Sequence, residues 1–301
     1  MRHVPFVTID GEDAKDFDDA VFAEFLDSDN VWRLVVAISD VSAYVSLASP
    51  LDNEARRRGT SVYFPGLVFP MLPEALSNGI CSLQPEKDRL SLVVDIKITS
   101  DGRIQSFTFH EAIICSRARL TYEEVQHYID KKGSSSLETL LAEDQLESLD
   151  HLAGVYKALM IDRESRGALD FQTREGKPVL VGGKVTEVRL VERLTSHKII
   201  EESMICANVC AAKLIEESES LALFRIHEPP AQSKLLELRN FQAFVNHPWP
   251  DNEIATADIK ALLEALPAAE ESNVLQRMVL RCMSQAAYEP SGKGHFGLAL
   301  E

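Results

Sequence analysis

From Asp10 to Asp19 the chain reads Asp-Gly-Glu-Asp-Ala-Lys-Asp-Phe-Asp-Asp, six carboxylates in ten positions with a single lysine among them. Both ends of this run are apolar: Phe6-Val7-Thr8-Ile9 leads in and Ala20-Val21-Phe22 leads out. A solvated acidic turn has no reason to be pinned between two core segments. The carboxylates are therefore expected against the protein body, where like charges repel and take up protons unless a cation neutralises them. Hard oxygen donors of this kind suit Mg²⁺ or Mn²⁺. An EF-hand does not fit, because with Asp10 as loop position 1 the sixth position is Lys15 rather than the required glycine. Aspartates clustered on such an ion serve in-line phosphoryl chemistry. The residues alone thus reach metal-dependent hydrolysis of a phosphodiester or phosphate, with the substrate open.

Around this loop the hydrophobic pattern is that of an α+β protein, with a mixed β-sheet core in the first half and a packed helical second half. Residues 6–9, Trp32–Ile38 and Leu90–Ile98 read as strands, and Ser100–Arg103 turns the last of these into Ile104–Ile114. Thr121 with Glu124 three residues on is a capping box that opens a helix. Helical patterns follow at 136–166, ended by Gly167, at Ser196–Glu217, and at 231–245, 257–266 and 272–287. Ala168–Thr173 reads as extended, 177–192 as a hairpin turning at Gly182-Gly183, and 246–252 as a loop. Without repeats or a recognisable linker, one domain over 1–301 is expected.

A net charge of −16 argues against a simple nucleic-acid-binding module, which ordinarily carries a basic footprint. It does not exclude a nuclease, because a carboxylate-lined metal site adds negative charge locally. Cys81, Cys115, Cys206, Cys210 and Cys282 show no metal-like spacing. Cys206 and Cys210 fall on an apolar helical face as packing residues, and the pattern fits a reducing compartment. No apolar run reaches the ~18 residues of a membrane span, and no signal peptide is visible, so a cytoplasmic location is expected.

The acidic loop together with Trp32–Val45 (WRLVVAISDVSAYV) resembles the RNB catalytic domain of the ribonuclease II and ribonuclease R family. So do Gly59–Leu83, Arg117–Tyr122 (RARLTY), His197–Asn208 (HKIIEESMICAN), Leu223–His227 (LFRIH) and Gly294–Leu298 (GHFGL). These motifs run in the family's order over nearly the whole chain, and the TIDGEDAKDFDDA and GTSVYFP forms are more similar to the ribonuclease R type. Residue 43 is alanine where relatives often carry histidine or an aromatic.

The resemblance implies a Mg²⁺-dependent (or Mn²⁺-dependent), processive 3′→5′ exoribonuclease that releases nucleoside 5′-monophosphates from the 3′ end of single-stranded RNA. It assigns Asp10, Asp16, Asp18 and Asp19 to the metal and catalytic set, with Asp16 and Asp18 catalytic and Asp18 the least dispensable. Glu12 and Asp13 are left off the metal. Tyr63 and Phe171 match the aromatics that stack on the RNA 3′ end, a recognition mode that tolerates any base. In relatives the Gly-His-Phe-Gly-Leu motif continues into a Ser-Pro-Ile-Arg-Arg-Tyr stretch with a phosphate-binding arginine, and OB folds flank the domain. The chain ends at Glu301, before that stretch. The expectation is therefore a truncated RNB-type domain, inactive or weakly active by itself. Two alternatives stand beside it: an RNA-binding or regulatory module of the same fold without catalysis, and a small-molecule phosphatase supported by the acidic loop alone.

Overall fold

A computed structural model of the chain describes residues 1–130, 135–171, 175–239, 256–265 and 270–300. In chain order the first part contains β1 (Val7–Asp10), β2 (Asp19–Leu26), β3 (Val31–Ser39), α1 (Pro50–Arg58), β4 (Val62–Phe64), β5 (Leu67–Phe69), β6 (Asp88–Thr99), β7 (Ile104–Cys115) and β8 (Ala118–Thr121). Helices α2 (Tyr122–Asp130), α3 (Leu137–Leu140) and α4 (Glu143–Arg166) follow, then β9 (Glu175–Val181), β10 (Lys184–Val191) and α5 (Thr195–Glu217). The chain closes with β11 (Phe224–Ile226), α6 (Gln232–Arg239), α7 (Thr256–Glu264), α8 (Glu270–Cys282) and β12 (Ala287–Glu289). Contacts divide the chain into two compact units, Met1–Leu159 with Glu175–Cys210, and Met160–Arg174 with Ala211–Glu301. Two of the three crossings between them fall inside α4 and α5 and the third immediately before β9, so no linker composition marks the change.

The first unit is built on a six-stranded sheet in the order β7-β6-β3-β2-β1-β8, antiparallel throughout except for the parallel pair β1–β8. Its central strands are buried on both faces, which is why β3 reads as a near-continuous apolar run rather than an alternation. Leu34 and Val36 join Val7, Ile9, Val21, Val94 and Ile96 in a core closed by Leu149, Leu152 and Val155 of α4 and by Ile199, Cys206 and Cys210 of α5. Val35 and Ala37 face the other way, with Phe6, Ala20, Phe22, Leu83, Val93 and Ile114. The two cysteines of α5 are therefore core packing residues, as their spacing indicated.

α4 approaches β3 closely at Gly154, where a Cβ would come within 2.4 Å of the Trp32 ring. The capping box forms as expected: Glu124 accepts from the Thr121 backbone N–H at 2.8 Å, and Thr121 Oγ1 accepts from the Glu124 N–H at 3.2 Å. The β9–β10 hairpin turns at Gly182 and Gly183, both with positive φ, the geometry that a two-residue turn of this kind demands.

In the second unit Leu169, Ile259, Leu262, Val279 and Cys282 form a smaller core. Here α8 stops at Cys282 rather than near residue 287, because Ala287–Glu289 pairs with β11 as a strand. The expected loop at 246–252, the last residues of the 231–245 helix, and residues 172–173 of the extended piece lie outside the described residues. Among the described residues no helix is long and apolar enough to cross a membrane.

Candidate active site

Because β1 and β2 are antiparallel neighbours, the eight residues Gly11–Asp18 must return the chain across the end of the sheet. Asp10 is the last residue of β1 and Asp19 the first of β2, so the fold places the two ends of the acidic run side by side. The loop is tied down along its length. Ser82, fully buried, donates from Oγ to the Lys15 carbonyl at 3.0 Å and accepts from the Phe17 N–H at 3.1 Å. The Leu83 N–H bonds to the Phe17 carbonyl at 2.8 Å and the Ser39 N–H to that of Asp18 at 2.9 Å. Arg119 on β8 donates from Nη2 to the carbonyls of Gly11 at 2.7 Å and Glu12 at 2.8 Å.

Charges held this way perturb one another. Burial, Asp19 and then Asp16 and Asp18 push the Asp10 carboxyl up to about 7, with Arg119 pulling in the opposite direction. Burial and Asp18 push Asp19 up to about 6. Asp18 is raised by the dense surroundings of its carboxyl and by Asp16, although it is the most solvent-open of the four, which limits the size of the effect. Asp10 Oδ2 is buried with no hydrogen-bond partner. An orphaned carboxylate oxygen inside a crowd of carboxylates fits a hard divalent cation, which would supply the missing partner and relieve the repulsion. As the side chains stand, no three His, Cys, Asp or Glu groups converge on one point among the described residues, so the ligands would have to draw together around the ion. Asp13 makes an exposed pair with Lys177 at 3.0 Å.

Arg119 and Tyr122 adjoin this cluster. Tyr122 is pushed up to about 12 by burial and by Asp10 and Asp19, and His197 stacks on it with ring centroids 4.0 Å apart. Sequence reasoning missed both residues as parts of the site. RARLTY stood out as a motif, but only the parallel pairing of β8 with β1 brings it alongside Asp10. His197 accepts the Leu194 N–H on Nδ1, which marks it as a helix-start residue. His227 and His295, distant in sequence, come together in the second unit with ring centroids 5.0 Å apart. Each accepts a backbone N–H on Nδ1, from Gly297 and Leu298 respectively, so they pin the GHFGL segment rather than form a metal site.

Of the aromatic candidates, Tyr63 lies in the β4–β5 hairpin with 66% of its surface exposed, beside exposed Phe64 and Phe69. Phe171 belongs to the second unit and packs, partly buried, against the Leu169–Ile259 cluster. Arg56, Arg57 and Arg58 form a solvated helix face, paired with Asp52 and Glu54 of the same helix.

Ribonuclease R of Escherichia coli (strain K12) is 44% identical over 303 residues, covering 100% of this chain and 37% of that protein. The chain thus spans little more than a third of the length of this curated relative. The solved structure of Mycoplasma genitalium RNase R in complex with ribose-methylated single-stranded RNA superposes with a TM-score of 0.93 at 26% identity, over 100% of this chain and 46% of that one. Yeast Ssd1, described as a pseudonuclease, shares the fold at a TM-score of 0.74 and 18% identity, covering 98% of this chain and 36% of that one. The RNB domain model matches residues 1–301, and the chain belongs to the RNB domain family.

Proposed function

We propose that this chain is the core of a Mg²⁺-dependent, processive 3′→5′ exoribonuclease that hydrolyses single-stranded RNA to nucleoside 5′-monophosphates. The observation that carries the reading is the placement of Asp10, Asp16, Asp18 and Asp19 at one end of the sheet, with Asp10 Oδ2 buried and unpaired. These four carboxylates would hold Mg²⁺ or Mn²⁺. When bound, such ions supply an activated water and neutralise the charge of an in-line displacement. The chain's own part is to bind and orient. Ser82, Ser39 and Arg119 hold the loop backbone, and Asp16 and Asp18 would act on the reacting phosphate. Tyr63 and Phe171 stack on the terminal bases.

The flanking OB folds expected in the longer protein would supply much of the single-strand affinity, since that affinity comes largely from basic grooves and stacking platforms. The 301-residue chain by itself, with a charge of −16, is expected to be inactive or slow. Its expected location is the cytoplasm.

A second reading, an RNA-binding or regulatory module without catalysis, draws on the resemblance to a fold also found in a pseudonuclease. End-labelled RNA of mixed sequence separates the two, using both the 301-residue chain and a longer form that carries the arginine stretch and OB folds. Stepwise shortening with mononucleotide release by the longer form, abolished by Asp18→Asn, is the expected result. Binding without shortening in both forms would favour the module. Equal rates in the two forms would show that the 301 residues already carry a complete site.

A further inference from the structure

We infer that Arg119 is a positioning residue for the acidic loop, setting the mutual placement of Asp10, Asp16, Asp18 and Asp19 without touching the ion or substrate itself. The inference rests on the metal-binding reading above and adds a residue to it.

Arg119 sits on β8 directly opposite Thr8 of β1, in the parallel pair that ends at Asp10 and Thr121. Its side chain therefore projects from the same face as Thr8 and Asp10 and reaches the loop from beneath. One nitrogen, Nη2, bridges the carbonyls of Gly11 and Glu12, the first two residues beyond Asp10. The guanidinium carbon lies 5.6 Å from the centroid of the Phe17 ring, between Asp16 and Asp18. A single planar group thus grips the loop where it leaves β1 and again just before it enters β2.

Among the described residues the hydrogen bonds of Arg119 go to the Gly11 and Glu12 carbonyls and none to a carboxylate, although the loop beside it holds six. The arginine's hydrogen bonds go to backbone, which is what fixes a loop's path; an ion pair would instead have consumed a ligand oxygen. Thr8 Oγ1, Asp10 Oδ2 and Arg119 Nε are all buried without hydrogen-bond partners on this shared face. That leaves the Asp10 oxygen unengaged on the face that also carries the guanidinium. Lysine could replace at most the donated hydrogen bonds. It has no planar face to lay over Phe17.

The charge of Arg119 gives the test its direction. A cation near a metal site opposes metal binding, so if Arg119 acted only through its charge, its removal would tighten Mn²⁺ binding. If it positions the loop, removal loosens the ligand set. Losses of about 10- to 100-fold in metal affinity are usual when a residue supporting the ligands is removed.

The experiment uses the full 301-residue chain as wild type, Arg119→Met, Arg119→Lys and Phe17→Leu. Mn²⁺ affinity is read by paramagnetic broadening, and amide hydrogen exchange over residues 10–19 is read without metal. The expected result is faster exchange across the loop and at least tenfold weaker Mn²⁺ binding in Arg119→Met, with smaller changes in Arg119→Lys and Phe17→Leu. Unchanged loop exchange in Arg119→Met and Phe17→Leu overturns the inference, as does Mn²⁺ binding that is equal or tighter. If Arg119→Met does not fold, Arg119→Lys and Phe17→Leu decide by the same criteria. Should the wild type itself bind no Mn²⁺ in the loop, it is the metal reading that fails, and loop exchange alone decides the role of Arg119.

Discussion

At the scale of single residues, the chain keeps several carboxyl groups in conditions that favour their protonated form. Asp10 and Asp19 have folded pKa values of about 7 and about 6, above the ordinary carboxylate range. In the unfolded chain both ionise near pH ~4, so between that pH and the folded values the native state binds more protons than the unfolded state. Stability is therefore fully present below the unfolded pKa and is lost as pH rises through the folded values. In EDTA the melting temperature is expected to fall as pH goes from about 4 to about 8, with a loss of at most roughly 7 kcal/mol, reduced by the coupling of the two groups and by solvent screening. Asp10→Asn should flatten that slope, because an amide at this position does not ionise. Thermal melts of the two proteins across pH check it, and parallel slopes would show that Asp10 is not the titrating group. Adding Mn²⁺ to the wild type at the alkaline end should raise the melting temperature, and Asp10→Asn should lose most of that gain.

At the scale of elements, the packing of α4 on the sheet depends on a residue without a side chain. Gly154 lets the helix lie against Trp32, which also meets Phe25 edge-on at 4.7 Å. Gly154→Ala would gain about 0.5–1 kcal/mol in helix propensity but force the ring or the helix to shift. Overpacking of this kind costs about 1–3 kcal/mol, so a net loss of roughly 1–2 kcal/mol is expected by urea denaturation, with altered tryptophan fluorescence. The capping box gives a milder case. Thr121→Ala removes the hydroxyl that caps the Glu124 N–H and should cost about 1 kcal/mol.

At the scale of the molecule, a net charge of −16 acts through self-repulsion. Screening should raise the melting temperature as monovalent salt increases from about 0.05 to about 0.5 M, because the Debye length shrinks from beyond to within the spacing of surface charges. Wild type and Asp10→Asn should share this component, which separates it from the site-specific effect of Mn²⁺. A melting temperature that does not respond to salt would indicate that surface ion pairs such as Arg57–Glu54 and Lys97–Asp29 already balance the repulsion.

Local chemistry made much of this protein legible before its structure. Four strands of the central sheet (β1, β3, β6 and β7), the Thr121–Glu124 cap, the Gly182-Gly183 hairpin and the packing role of Cys206 and Cys210 follow from periodicity and turn residues, which act over a few positions. The acidic loop announced itself because it interrupts two apolar segments. Long-range pairing was not legible. Parallel β8 joins β1 across more than a hundred residues, and no local pattern encodes that partner choice. The same pairing brings Arg119 under the loop and Tyr122 beside Asp10, and β12 forms, in place of a longer α8, only because β11 is there to pair with it. The sequence by itself determined which residues carry the chemistry; the tertiary structure alone decided which neighbours hold them, because pairing between distant strands is set by the burial of the whole sheet rather than by any one segment.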